Sequence, residues 1–189
     1  ALFLPHLERA VELKRRYVDC FEGYDDPYDV LLDDYEPGMK TAEVRQVFDD
    51  LKAELVPLIA DLGSVEGDDA FMDGPWPIDA QNDYSLKIIR RFGFDESFSR
   101  LDLTVHPFAA SSGTQDIRLT TRYKEDDITS IFTAMHECGH GLYEHGISPS
   151  LERTPLCHGV SSALHESQSR MWENIVGRSR PFWNHFYPS

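Results

Sequence analysis

Ile128-Thr129-Ser130-Ile131-Phe132-Thr133-Ala134-Met135-His136-Glu137-Cys138-Gly139-His140-Gly141-Leu142-Tyr143-Glu144-His145-Gly146 decides how this chain is read. Ile128, Ile131, Phe132, Met135, Gly139, Leu142 and Tyr143 recur at the spacing of one helix face. Beside that stripe stands an H-E-x-x-H, His136 to His140. Residues four apart on a helix share a face, so the two imidazoles can offer two nitrogens to one metal ion. Glu137 lies next to the first histidine, close enough to polarise a water at the metal without binding the metal itself. Gly146 ends the helix and Pro149 keeps it ended. This is the residue set of a zinc hydrolase. Cys138 lies between the histidines but on another side of the helix, which makes it a packing residue.

Outward from this helix the chain reads as mostly helical. Leu4 to Phe21 has a loose helical stripe, and Gly23 to Gly38 is acidic and turn-rich, a connecting segment. Thr41 can cap a helix whose Val44, Val47, Phe48, Leu51, Leu55, Leu58 and Ile59 form a core-facing stripe, with Pro57 kinking or ending it. Gly63 to Pro77 reads as a loop and Ile78 to Phe92 as a helix. Leu101 to His106 and Gln115 to Thr120 alternate apolar and polar residues on either side of Ala109-Ala110-Ser111-Ser112-Gly113, which predicts a small antiparallel hairpin. A last helix runs from about Val160 to Val176. The expected organisation is one catalytic-core segment over 1–189, with a helical arm over 1–100 and the metal-site core over 101–189.

Composition narrows the functional classes. A net charge of -15 argues against nucleic acid and anionic membranes, both of which demand basic surface. No apolar run approaches the length of a membrane span. The start, Ala1 to Glu8, has neither the basic nor the apolar region of a secretory leader, and its lack of Met points to a processed, truncated or engineered start. Cys20, Cys138 and Cys157 are odd in number and show no C-x-x-C pairing, which favours a reducing, cytoplasmic setting.

Catalytic zinc takes three protein ligands and keeps one position open. The metzincin pattern is excluded, because it needs Gly and His where Tyr143 and Gly146 stand. Glu144 and His145 are carried away from the ion by steps of four and five residues from His140. His158, His165 and Glu166 remain, and Glu166 lies on a second helix that can pack against the first, where its alternative is an ion pair with Arg170. Asp116 or Glu173 can orient His136 or His140. Arg118, Arg122 and Arg170 can pair with Asp116 or Glu166. His106, at the hairpin edge, is either a substrate hydrogen-bonder or a structural residue.

His106-Pro107-Phe108, Asp116-Ile117-Arg118-Leu119-Thr120, the His136 motif and His165-Glu166-Ser167-Gln168-Ser169 follow one another in this order. Together they resemble the H-P-F, D-x-R-x-T, H-E-x-x-H and H-E-S-[MQ]-S signatures of the carboxypeptidase Taq-type metallocarboxypeptidases. The resemblance implies a mainly α, zincin-like segment with the H-E-x-x-H helix, a second ligand-bearing helix and a small antiparallel sheet. It implies His136, His140 and Glu166 as metal ligands and Glu137 as catalytic base. His106, Asp116, Arg118 and His165 become substrate-binding or ligand-supporting residues. The metal would be Zn²⁺, although Co²⁺ or Mn²⁺ suits the same donors. The partners implied are peptides with a free C-terminus and a second copy of the chain. Two further family signatures, an Ile-Arg pair ahead of Ala-Asp and a Gln-Asp before His-Trp, are absent from these 189 residues, so the expectation is a central catalytic segment. H-E-x-x-H alone does not separate a carboxypeptidase from an endopeptidase or aminopeptidase, and a metal-binding domain without peptidase activity is the further alternative.

Overall fold

The computed structural model describes residues 2–65, 67 and 73–187, which divide into two compact units, 1–67 and 68–189. The first unit holds three helices, α1 (Leu4–Val18), α2 (Pro27–Asp33) and α3 (Thr41–Gly63). The segment read as a connection therefore contains a helix. Asp26 starts it, its carboxylate accepting from the Tyr28 N–H with Pro27 in the first turn. Asp29 of α2 accepts the Thr41 N–H at 2.7 Å, and Glu43 reaches back to the Lys40 N–H at 3.1 Å, which fixes the start of α3. Thr41 is the first residue of α3 rather than its cap, which is Lys40. Pro57 does not end α3, which continues to Gly63. The predicted core-facing stripe of α3 is on the surface: no α3 residue is buried, and Phe48 is 58% exposed. Periodicity identifies an apolar face but not what covers it. The predicted loop from Gly63 to Pro77 falls partly outside the described residues.

The second unit carries α4 (Ile78–Phe92), strands β1 (Ser99–Leu103), β2 (Ala109–Gly113) and β3 (Asp116–Thr121), then α5 (Thr129–His145), α6 (Ser162–Arg170) and α7 (Arg180–Phe186). Gly93, with a left-handed φ of 119°, ends α4. α6 continues without a break into a wider π-helical turn, Met171–Val176. The strand order is β1-β3-β2. β2 pairs antiparallel with β3, as a small hairpin, but β1 pairs parallel with β3. The two alternating segments are thus parallel neighbours, and the Ala109–Gly113 stretch read as their turn is itself the antiparallel edge strand. Thr120 pins the entry to β2: its hydroxyl accepts the Phe108 N–H at 2.7 Å and donates to the Phe108 carbonyl at 2.9 Å.

α5 is the axis of this unit. One side packs through Ala134 and Cys138 with Ile89, Phe94, Ile117 and Leu119. Another packs through Ile131 and Met135 with Ile88, Phe182 and Phe186. Burying the Ile, Leu, Phe and Met side chains among these stabilises the unit by about 1.5–3 kcal/mol each, so the helix that carries the histidines is firmly anchored on two sides. No helix of the described residues is long and apolar enough to cross a membrane.

Candidate metal centre

The two glycines beside the histidines set how close α5's neighbours come. A Cβ at Gly139 would lie 2.6 Å from the Ser169 Cα, and one at Gly141 would lie 2.7 Å from the Ile117 Cγ2. α6 and β3 therefore rest directly on the α5 backbone, and α6 delivers Glu166 to the histidine face. The His136 and His140 Nε2 atoms are 3.1 Å apart, and the Glu166 Oε2 lies 3.6 Å and 3.2 Å from them. A tetrahedral ion with bonds of about 2.0–2.1 Å spaces its ligands about 3.3 Å apart, so these separations bracket what one ion requires. Among the described residues this is the one group of three such ligands.

The proton positions agree with that use. The Glu173 Oε2, an acceptor only, sits 2.9 Å from the His136 Nδ1, so the His136 proton is on Nδ1 and its Nε2 presents a lone pair. The His140 Nδ1 contacts the His165 Nδ1 at 2.6 Å. With Nδ1 protonated on the His136 and His140 rings, two Nε2 lone pairs converge with a carboxylate, an arrangement a cation relieves. Burial first, then the neighbouring imidazoles of His136 and His165, pushes the His140 pKa down to about 4, so the ring is neutral at pH 7 and available as a ligand. Burial works to raise the Glu166 pKa, but the Arg170 hydrogen bond, His136, the Ser169 hydroxyl and His140 together hold it below the usual range. Glu166 thus makes its helical ion pair with Arg170, at 2.7 Å, while facing the histidines.

Glu137 is 7% exposed. Burial, opposed by His136 and reinforced by Glu166 and Glu173, raises its pKa to about 7. A carboxyl poised there exchanges a proton readily at neutral pH. The buried Cys138 thiol is pushed up to about 12, which leaves it inert as a nucleophile or ligand.

The sequence of the Carboxypeptidase Taq (M32) metallopeptidase family matches residues 1–189. The chain belongs to that family. Carboxypeptidase 1 of Bacillus subtilis is 40% identical over 99% of this chain and 38% of its own length. Thermostable carboxypeptidase 1 of Thermus thermophilus is 41% identical over 98% of this chain and 39% of its own. The crystal structure of the M32 carboxypeptidase from Deinococcus radiodurans superposes with a TM-score of 0.86 at 38% identity, over 97% of this chain and 39% of that one. The chain thus spans about two fifths of the length of its curated relatives.

Within this M32 segment the residues singled out from sequence are not all gathered together. His136, His140, Glu166 and His165 converge, with Glu137 one residue from the first ligand. Asp116 pairs with Arg118 on β3 at 2.5 Å, and His106 is exposed in the turn between β1 and β2. Among the described residues none of these three hydrogen-bonds to the cluster. Arg122 reaches the Val105 carbonyl instead. Helical stepping kept Glu144 out of the ligand set, and it is not among the three grouped donors. Its carboxylate meets the His165 Nε2 at 2.8 Å and accepts the Gly159 N–H at 3.0 Å, a supporting contact that the sequence reading did not assign. Its place four residues after His140 was the available signal. Its partners arrive from a separate loop and helix, which no local pattern reveals.

Proposed function

We propose that this chain provides the metal centre of a metallocarboxypeptidase, with His136, His140 and Glu166 holding Zn²⁺ and Glu137 as the general base. The observation that carries the reading is the convergence of two Nε2 atoms from α5 and one carboxylate oxygen from α6 within 4.8 Å, with a buried carboxyl near neutrality, Glu137, next to His136. When bound, the metal supplies Lewis acidity that activates water and polarises the scissile carbonyl. Glu137 would accept the proton of the attacking water on its carboxylate and deliver it to the departing amine. Two neutral imidazoles and one carboxylate leave the site net positive, which would lower the Glu137 pKa and keep it ionised for that first transfer.

β2 is one of the two edge strands of the sheet, and a cavity of about 230 Å³ lies between Ala109, Ala110, Ser111, His140 and His165. An extended peptide adding to that edge would pass beside the ligands. Substrates with a free C-terminus follow from kinship with proteins named carboxypeptidases, and the two-fifths coverage makes the activity of the whole protein part of this proposal. Residues 1–189 would then be one portion of a longer peptidase. The test uses protein purified at its native length, assayed for metal content and for hydrolysis of a dipeptide blocked at its N-terminus and free at its C-terminus. One zinc per chain, with cleavage lost when the C-terminus is amidated, is the expected result. Cleavage of the amidated peptide would replace the carboxypeptidase with an endopeptidase, and a folded protein that takes up no metal would end the reading.

A further inference from the structure

Behind His140 lies a chain of contacts that ends on a carboxylate. The His140 Nδ1 meets the His165 Nδ1 at 2.6 Å, and the His165 Nε2 meets the Glu144 Oε1 at 2.8 Å. We propose that Glu144 is a positioning residue of the metal centre, acting through His165 to hold the His140 ring in the tautomer and orientation that present Nε2 to the metal. The inference rests on the reading of His136, His140 and Glu166 as ligands.

Proton accounting links every member of the chain. An ionised carboxylate only accepts, so the His165 Nε2 carries a proton and donates it to Glu144. In its singly protonated form the His165 ring then has a bare Nδ1, which can only accept. At 2.6 Å its partner must donate, so the His140 proton is on Nδ1 and the His140 Nε2 is left as a lone pair. Reversing the first link reverses the last. A proton on the His165 Nδ1 would require a bare His140 Nδ1, move the His140 proton to Nε2, and close the site to a cation. His165 alone does not choose between these states. Glu144 does.

The carboxylate is itself held from three directions. Its own backbone belongs to α5; the Gly159 N–H donates to Oε1 at 3.0 Å, and the Ser111 hydroxyl of β2 donates to Oε2 at 3.2 Å. The Glu144 side chain is only 15% exposed, so water competes weakly for it. His165 is confined as well. The Tyr143 ring stands edge-on at 5.1 Å, and a Cβ at Gly159 would lie 2.5 Å from the His165 Cδ2. The contrast with His136 is informative, because that ring meets its carboxylate, Glu173, directly. His140 meets one through a second imidazole, which couples the ligand to β2 and to the loop before α6, two elements that touch no other ligand by hydrogen bond among the described residues.

The test measures metal affinity by chelator competition on native-length protein, for wild type, Glu144→Gln, His165→Asn and the double variant. Gln keeps the shape of Glu, but its amide accepts or donates equally and so no longer selects a tautomer. Glu144→Gln should lose about tenfold in affinity, toward the lower end of what such outer partners contribute, with the melting temperature of the metal-free protein unchanged. In the double variant the loss should equal that of His165→Asn alone, because Glu144 has nothing left to act through. A second measurement needs no variant. The long-range ¹H–¹⁵N spectrum of the wild-type zinc protein should show His165 protonated on Nε2 and His140 protonated on Nδ1. Affinity within twofold of wild type in Glu144→Gln, additive losses in the double variant, or a His165 proton on Nδ1 would each overturn the relay while leaving the metal site intact. Wild-type protein that binds no metal would instead remove the reading beneath it.

Discussion

At the scale of single residues, two carboxyls near His136 have opposite duties. Glu173 stays an acceptor at its ring, and Glu173→Gln should weaken metal binding about 10- to 100-fold, measured by chelator competition. Glu137 is the residue held near neutrality. Glu137→Gln should keep the metal and lose about 10²- to 10⁴-fold in kcat. Its protonation also has a signature in the metal-free protein. The folded pKa of about 7 exceeds the ordinary 4.5, so the fold keeps the Glu137 proton longer than the unfolded chain does. That contribution is full below pH 4.5 and is lost as pH rises through 7. His140 acts in reverse: its folded pKa of about 4 lies below the ordinary 6.5, so its contribution is full above pH 6.5 and is lost as pH falls through 4. Between pH 4.5 and 6.5 the two largely offset each other. Glu137→Gln removes one side, so metal-free variant protein should gain stability relative to wild type as pH rises from 4.5 to 7, read from chemical denaturation at each pH. A constant difference across that range would show that Glu137 titrates normally.

At the scale of elements, the site depends on how closely α6 and β3 approach α5, and the glycines report that spacing separately. The Cβ of Gly139→Ala would meet backbone, the Ser169 Cα at 2.6 Å, whereas that of Gly141→Ala would meet branches of Ile117 and Leu119. Side-chain ends shift more easily than a helix backbone. Gly139→Ala should therefore destabilise by about 1–3 kcal/mol and weaken metal binding by displacing Glu166. Gly141→Ala should cost less, since about 1 kcal/mol of helix propensity is regained and Glu166 is not touched. Equal effects would mean that α6 does not rest on Gly139. This is also where the reading of the sequence reached its limit. α4 and α5 were legible almost to the residue because their stripes and end signals are local. The pairing of the strands was not, because alternation in Leu101 to His106 and Gln115 to Thr120 marks strands without stating direction or order. The small residues Ala109 to Gly113 look like a turn and become a strand only because β3 lies alongside. In the same way His136, Glu137 and His140 are visible in five consecutive residues, while the Glu144–His165 contact exists only once α6 has packed.

At the scale of the molecule, the three residues proposed to hold the metal all belong to the unit over 68–189 and none to that over 1–67. A metal that binds the folded site and not the unfolded chain stabilises by mass action, about 2.7 kcal/mol at a free concentration one hundred times its Kd. The stabilisation is confined to whatever unfolds together with the site. The most protected amides of α5 and α6, which exchange when their unit opens as a whole, should therefore slow about a hundredfold under those conditions. Amides of α3, whose residues are all at least partly exposed and hold no ligand, should exchange at the same rate with metal and with chelator. Hydrogen exchange followed by mass spectrometry resolves the two helices in one sample. Slowing of α3 to the same degree would mean that the two units open as one cooperative body, and slowing of neither would mean that His136, His140 and Glu166 do not hold the ion.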